Sequence, residues 1–79
     1  MKKITAKQIL DYCFENSGLK QTYVAQRYGV SKESMSNWRT EKRQPQYHTL
    51  CELVEFMGFD IVDVIVELRL PPMKMVRNN

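Results

Sequence analysis

Several features that would point to a particular chemistry are scarce or missing in this 79-residue chain. It has two cysteines, Cys13 and Cys51, and neither lies in a CxxC motif or beside a histidine, so neither a zinc site nor a redox pair is suggested. A structural disulfide needs an oxidising compartment, of which there is no sign. Both cysteines fall on the apolar side of a helical pattern, where a thiol packs as a small hydrophobe. His48 is the only histidine, stands apart from any nucleophile or ligand cluster, and reads as surface or interface polar. With no glycine-rich phosphate loop and with acids spread along helix surfaces, an enzyme is the weakest reading, and no cofactor, metal or small-molecule substrate is expected. No run of about 18 apolar residues occurs, and Met1, Lys2, Lys3 and Ile4 lead into a mixed amphipathic segment. Neither a membrane span nor a signal peptide is supported, and the cytoplasm is the expected address. Internal repeats and low-complexity tracts are also missing.

What is present describes one globular domain: 43% apolar and 27% charged residues, with a net charge of +3. The charge is polarised along the chain. Between Lys20 and Arg43, six basic residues (Lys20, Arg27, Lys32, Arg39, Lys42, Arg43) outnumber two acids (Glu33, Glu41), a local balance of +4. From Gln44 to Leu68 there are five acids (Glu52, Glu55, Asp60, Asp63, Glu67) and no Lys or Arg, a balance of −5. A polyanion is drawn to the first of these segments and repelled by the second. Charge alone leaves open a basic face that is merely solvated.

Hydrophobic spacing predicts an all-α chain of five helices. The first runs from about Thr5 to Asn16, with Thr5 and Gln8 at capping-box spacing, Ala6, Ile9, Leu10, Cys13 and Phe14 on one face, and Gly18 as terminator. The second, about Gln21 to Tyr28, turns Val24, Ala25 and Tyr28 inward and stops at Gly29. The third follows Ser31, a good N-cap residue, and reaches Arg39; Met35 and Trp38 share its inner face while Lys32, Glu33, Ser36, Asn37 and Arg39 look outward. Pro45 separates it from a fourth, about Gln46 to Met57, with Leu50, Leu53, Val54 and Met57 inward. Asp60 caps a fifth, about Ile61 to Leu70, closed by Pro71 and Pro72. The fifth is apolar nearly all round. Ile61, Val64, Ile65 and Leu68 form a stripe for the core, and Val62, Val66 and Leu70 form a second stripe at i, i+4, i+8. A small domain has one core for a helix to face, so the second stripe suggests a partner surface, with self-association the simplest candidate and harmless exposure the alternative.

Between Gln21 and Thr40 the chain reads QTYVAQRYGVSKESMSNWRT. Val24 and Ala25 stand in one short helix, Gly29 at a corner, Val30 just after it, and Met35 and Trp38 in the next helix. Two short helices crossing steeply need this order: a small residue at the crossing, a glycine at the corner, and apolar residues to hold the second helix. Over roughly Leu19 to Ile65 the sequence resembles the lambda-repressor-like and Cro-like helix-turn-helix regulators of phages and bacteria, their short filamentous-phage members included. The segments that carry the resemblance are LKQTYVAQRYGVS, KESMSNWRT, the KRQP that follows, and TLCELVEFMGFDIVDVI.

The resemblance implies a compact five-helix fold with the helix-turn-helix at helices 2 and 3, residues 1–70 forming the DNA-binding domain and 71–79 a tail that is disordered or part of a dimer contact. It implies a homodimer on double-stranded operator DNA, the second helix of the motif lying in the major groove, in the bacterial cytoplasm or nucleoid. Lys32, Glu33 and Asn37, with Ser36 next, take the positions that contact bases. Their chemistry suits it: lysine donates to guanine, asparagine pairs with adenine, and a carboxylate accepts from cytosine. Gln21 matches a phosphate-gripping position, Thr40, Lys42 and Arg43 match the phosphate-contacting stretch after the recognition helix, and Arg39 suits either role. The bland readings stay beside these. Glu33 is favoured in a first turn by the helix dipole with or without DNA, and Lys32 is an ordinary surface lysine otherwise. Two positions differ from the family's usual pattern: Lys20 where a Ser or Thr cap is common, and Glu41 where a Gly is common. A dimeric repressor is the leading reading; a protein-interaction module, an antitoxin or phage adaptor working through Val62, Val66, Leu70 and the tail, is the second.

Overall fold

The computed structural model describes residues 3–70. Among these the chain is all-helical: α1 (Ala6–Ser17), α2 (Gln21–Tyr28), α3 (Lys32–Arg39), α4 (Tyr47–Phe56) and α5 (Ile61–Arg69). The tail, with Met73 and Met75, lies outside the described residues.

Local chemistry sets most of the boundaries. The Thr5 hydroxyl accepts from the Gln8 backbone N–H at 3.2 Å while the Gln8 side chain accepts from the Thr5 N–H at 2.8 Å, so two donors that the first turn leaves without helical partners satisfy each other's side chains. Ser31 caps α3 through the Ser34 N–H at 3.0 Å, and Asp60 caps α5 through the Val62 N–H at 2.8 Å. Lys20 gives α2 no side-chain cap, as its lack of an acceptor requires. Gly29 ends α2 at φ 102°, a left-handed conformation that folds the chain back so that both Gly29 and Val30 donate to the Ala25 carbonyl. Leu70 is extended, as expected of a residue preceding proline. Observed helices differ from the expected spans by one residue at several ends, because the cap residues Thr5, Gln46, Met57 and Leu70 border the helices instead of belonging to them.

The core is built on α1, which packs against α3, α4 and α5, while α2 rests on α3. Leu10 and Cys13 of α1, Val24 of α2, Met35 of α3, Leu53 and Val54 of α4 and Val64 of α5 are its most enclosed side chains. Burial pushes the Cys13 thiol up to about 11, so it packs as an inert hydrophobe, and Cys13 and Cys51 are both free. No polar or charged side chain is fully buried among the described residues. Tyr28 sits half inside, its hydroxyl donating to the Glu52 carboxylate at 2.5 Å, which ties α2 to α4. No described helix is long and apolar enough to cross a membrane.

Trp38 packs against the core from the inner side of α3, as expected, but is less covered than Met35. Met35 is fully enclosed, but Trp38 is only half-buried and lines a cleft of about 530 Å³ with Tyr28, Val30, Arg43 and Pro45. At 3.6 residues per turn it lies about 60° round the helix from Met35, in the last turn, where the chain has already left for the loop. Met35 is therefore the side chain that anchors α3. Met35→Ala should destabilise the fold by about 2–4 kcal/mol in urea unfolding followed by Trp38 fluorescence, whereas Ser36→Ala, on the exposed side, should stay within about 0.5 kcal/mol. Equal midpoints for the two variants would remove Met35 as the anchor.

Candidate nucleic-acid interface

The face of α3 opposite Met35 is the place to look for function. Glu33 and Asn37 lie there, Ser36 is at its edge, and Lys32 is about 60° from Met35 in the first turn; Lys32, Glu33 and Ser36 are exposed and Asn37 is half-buried, its side chain making no hydrogen bond to the described protein. An eight-residue helix with Met35 on its inner side turns the positions farthest round from it, Glu33 and Asn37, away from the core. Glu33 lies in the first turn and Arg39 in the last, each at the end that the helix dipole favours for its charge.

Beyond α3 the chain turns sharply. The Asn37 carbonyl accepts from the backbone N–H groups of Lys42 and Arg43 at 3.0 and 3.3 Å, and the Thr40 hydroxyl donates back to the Ser36 carbonyl at 2.9 Å. This closure needs a left-handed residue, and the chain supplies Glu41 at φ 66°, the one non-glycine residue with positive φ among the described residues. A side chain there costs on the order of 1 kcal/mol relative to glycine. The departure from glycine at this position leaves the corner intact, with Thr40, Glu41, Lys42 and Arg43 all exposed.

Gln21 and Arg39 are brought together, which their spacing of 18 residues does not announce. Arg39 Nη1 donates to Gln21 Oε1 at 3.0 Å, and its Nε and Nη2 both donate to Asp11 Oδ1, at 2.8 and 2.5 Å. The other carboxylate oxygen of Asp11 accepts from Lys7 Nζ at 2.7 Å. The Arg39 guanidinium also lies 4.6 Å from the centre of the Phe14 ring. So α1 grips the end of α3 through a charge pair, and Arg39, expected to look outward, is folded down onto α1 and α2. Asp11 carries no mark in the sequence beyond its i,i+4 spacing from Lys7, which says nothing about an arginine 28 positions away. Elsewhere Arg27 reaches over the exposed ring of Tyr23, 5.8 Å from its centre, and Lys20 is exposed, extending the basic surface along α2.

The second apolar stripe of α5 is open to solvent: Val62, Val66 and Leu70 are 62%, 52% and 55% exposed, whereas Val64 is buried. No group of three or more His, Cys, Asp or Glu that could hold a metal exists among the described residues.

Partial burial of the Asp11 carboxyl works against ionisation, but hydrogen bonds and charge from Lys7 and Arg39 outweigh it and hold its pKa below the ordinary 3.8. The ionised form is thus favoured by the fold, and its stabilisation is complete above the unfolded value and lost as pH falls through the lower folded one. Asp11→Asn should cost about 1–2 kcal/mol at pH 7, and the gap between variant and parent should close as the pH is taken down through the lowered folded-state value of Asp11. Thermal unfolding across that range measures it, and a gap that persisted in acid would assign the loss to packing instead. Compared with known proteins, the chain matches no family model, no curated protein and no solved structure.

Proposed function

We propose that α2 and α3 form a helix-turn-helix and that the protein is a cytoplasmic, sequence-specific regulator that binds double-stranded operator DNA as a homodimer, with α3 in the major groove. The observation that carries this reading is the two-sidedness of α3: Met35 enclosed on one flank, Glu33 and Ser36 presented away from it with Lys32 exposed in the first turn, directly before the exposed basic corner of Lys42 and Arg43. Lys32, Glu33, Ser36 and Asn37 read base edges, and Gln21, Thr40, Lys42 and Arg43 hold phosphates. The acidic segment that contains α4 and α5 faces away from a polyanion, which orients the molecule before contact. The exposed Val62, Val66 and Leu70 form the dimer surface, so that two copies of α3 meet major grooves about 34 Å apart. Nothing in this reading requires catalysis or a cofactor, and it takes no side on repression or activation.

The same exposed stripe supports a second reading, an antitoxin or phage adaptor that binds another protein through α5. Selection of duplexes from a random pool at moderate salt separates the two. An enriched inverted repeat with half-sites about 10 base pairs apart supports the regulator; a flat pool, with a second protein co-purifying, supports the adaptor.

Two sets of variants test the assigned roles. Lys42→Ala should weaken binding to every duplex and flatten the dependence of log K on log salt by about one unit, whereas Asn37→Ala should mainly relax preference at one base pair, by about 1–3 kcal/mol. Identical behaviour of the two across a panel of operators would undo the division into base and phosphate contacts. Val66→Asp should leave the helical circular dichroism spectrum of the folded chain unchanged, since the side chain is 52% exposed on a single copy, yet shift sedimentation to the monomer and weaken operator binding. A variant that sediments like the parent would remove α5 from the interface.

A further inference from the structure

Arg39 is the most heavily engaged polar side chain in the described protein, and three of its contacts converge on a question of orientation. A carboxamide has one end that accepts and one that donates, and nothing within the side chain decides which end faces outward. At Gln21 the choice is made by chemistry. Arginine carries five donors and no acceptor, so the atom of Gln21 that lies 3.0 Å from Arg39 Nη1 has to be the oxygen. The amide nitrogen, with both its hydrogens, is then turned away, and among the described residues no acceptor lies within hydrogen-bond distance of it. Arg39 is itself held: Asp11 takes Nε and Nη2, Lys7 holds the far side of Asp11, and the Phe14 ring lies under the guanidinium plane.

We infer that Arg39 is a positioning residue: it does not grip phosphate but fixes the Gln21 carboxamide so that its N–H groups, not its oxygen, meet a phosphate oxygen of the duplex. This rests on the DNA-binding reading above. A free glutamine spends part of its time with oxygen toward the phosphate, where two acceptors oppose each other, and gives up rotamer entropy when it binds. Locked by Arg39, it offers only donors and has little freedom left to lose. The guanidinium commits three of its five N–H donors, one on each nitrogen, to Asp11 and Gln21, and works through its neighbour.

The distinction is measurable because a neutral amide and a cation leave different salt signatures. Loss of an arginine–phosphate contact lowers the salt slope by about 0.9, whereas loss of a glutamine–phosphate hydrogen bond leaves it unchanged. Binding of a labelled duplex from the selected pool would be followed by anisotropy across a salt series for the parent, Gln21→Ala, Arg39→Met and the double variant. Circular dichroism would confirm that each is folded, and Arg39→Lys, which retains a cation for Asp11 but cannot also span to Gln21, would be run alongside in case Arg39→Met is not. The expected result is that each single change weakens binding by about tenfold, the double change by about the same tenfold, and the slope stays that of the parent. A double variant weakened about a hundredfold, or a slope that falls by about one when Arg39→Met is made, would mean that Arg39 holds phosphate directly and would overturn the inference while leaving DNA binding in place. A parent protein that binds no duplex overturns both.

Discussion

An eight-residue helix does not hold its shape in water, because so few propagated hydrogen bonds do not offset the cost of nucleation. Everything proposed for α3 therefore depends on how the body of the protein holds it, and the principal constraint is the burial of Met35 in the core, where α3 packs on α1 and α2. A flexible thioether fills the space that three helices leave at their junction. With that side chain inside, the remaining positions of α3 have their directions assigned, and Glu33 and Ser36 point into solvent.

A single apolar anchor leaves rotation and tilt about it, and polar contacts at the two ends of α3 remove them. Ser31 closes the N-terminal end on the Ser34 N–H, and Arg39 fastens the C-terminal end to Asp11 on α1 and to Gln21 at the start of α2. The Asp11–Arg39 pair is partly enclosed, with both side chains about one quarter exposed, a setting in which an ion pair contributes more than on an open surface and also specifies geometry. The same contacts set the orientation of the Gln21 carboxamide, so the residues that hold α3 also hold that side chain.

Charge separates along the sequence, and the helices divide it between them. The basic residues from Lys20 to Arg43 belong to α2, α3 and the corner that follows, and the acids from Glu52 to Glu67 belong to α4, α5 and their connection. One of those acids, Glu52, is drawn back to α2 by the Tyr28 hydroxyl, which shows that the acidic segment also has a structural share. The exposed corner at Glu41 retains a left-handed backbone that glycine would adopt without strain.

The five helices, their caps at Thr5, Ser31 and Asp60, and the glycine stops at Gly18 and Gly29 were legible from the residues, because each follows from contacts within four positions along the chain. So were the inner faces of α1 and α4 and the idle second stripe of α5, since a helical period assigns direction without reference to neighbours. How far Trp38 is covered, and that Arg39 folds inward, were not legible. Whether an indole at the end of α3 is covered depends on where the loop to Pro45 runs, and whether an arginine faces solvent depends on a carboxylate 28 residues earlier. Spacing within one helix is a property of the chain by itself; cover and partnership belong to the juxtaposition of helices, and only the tertiary structure decides them.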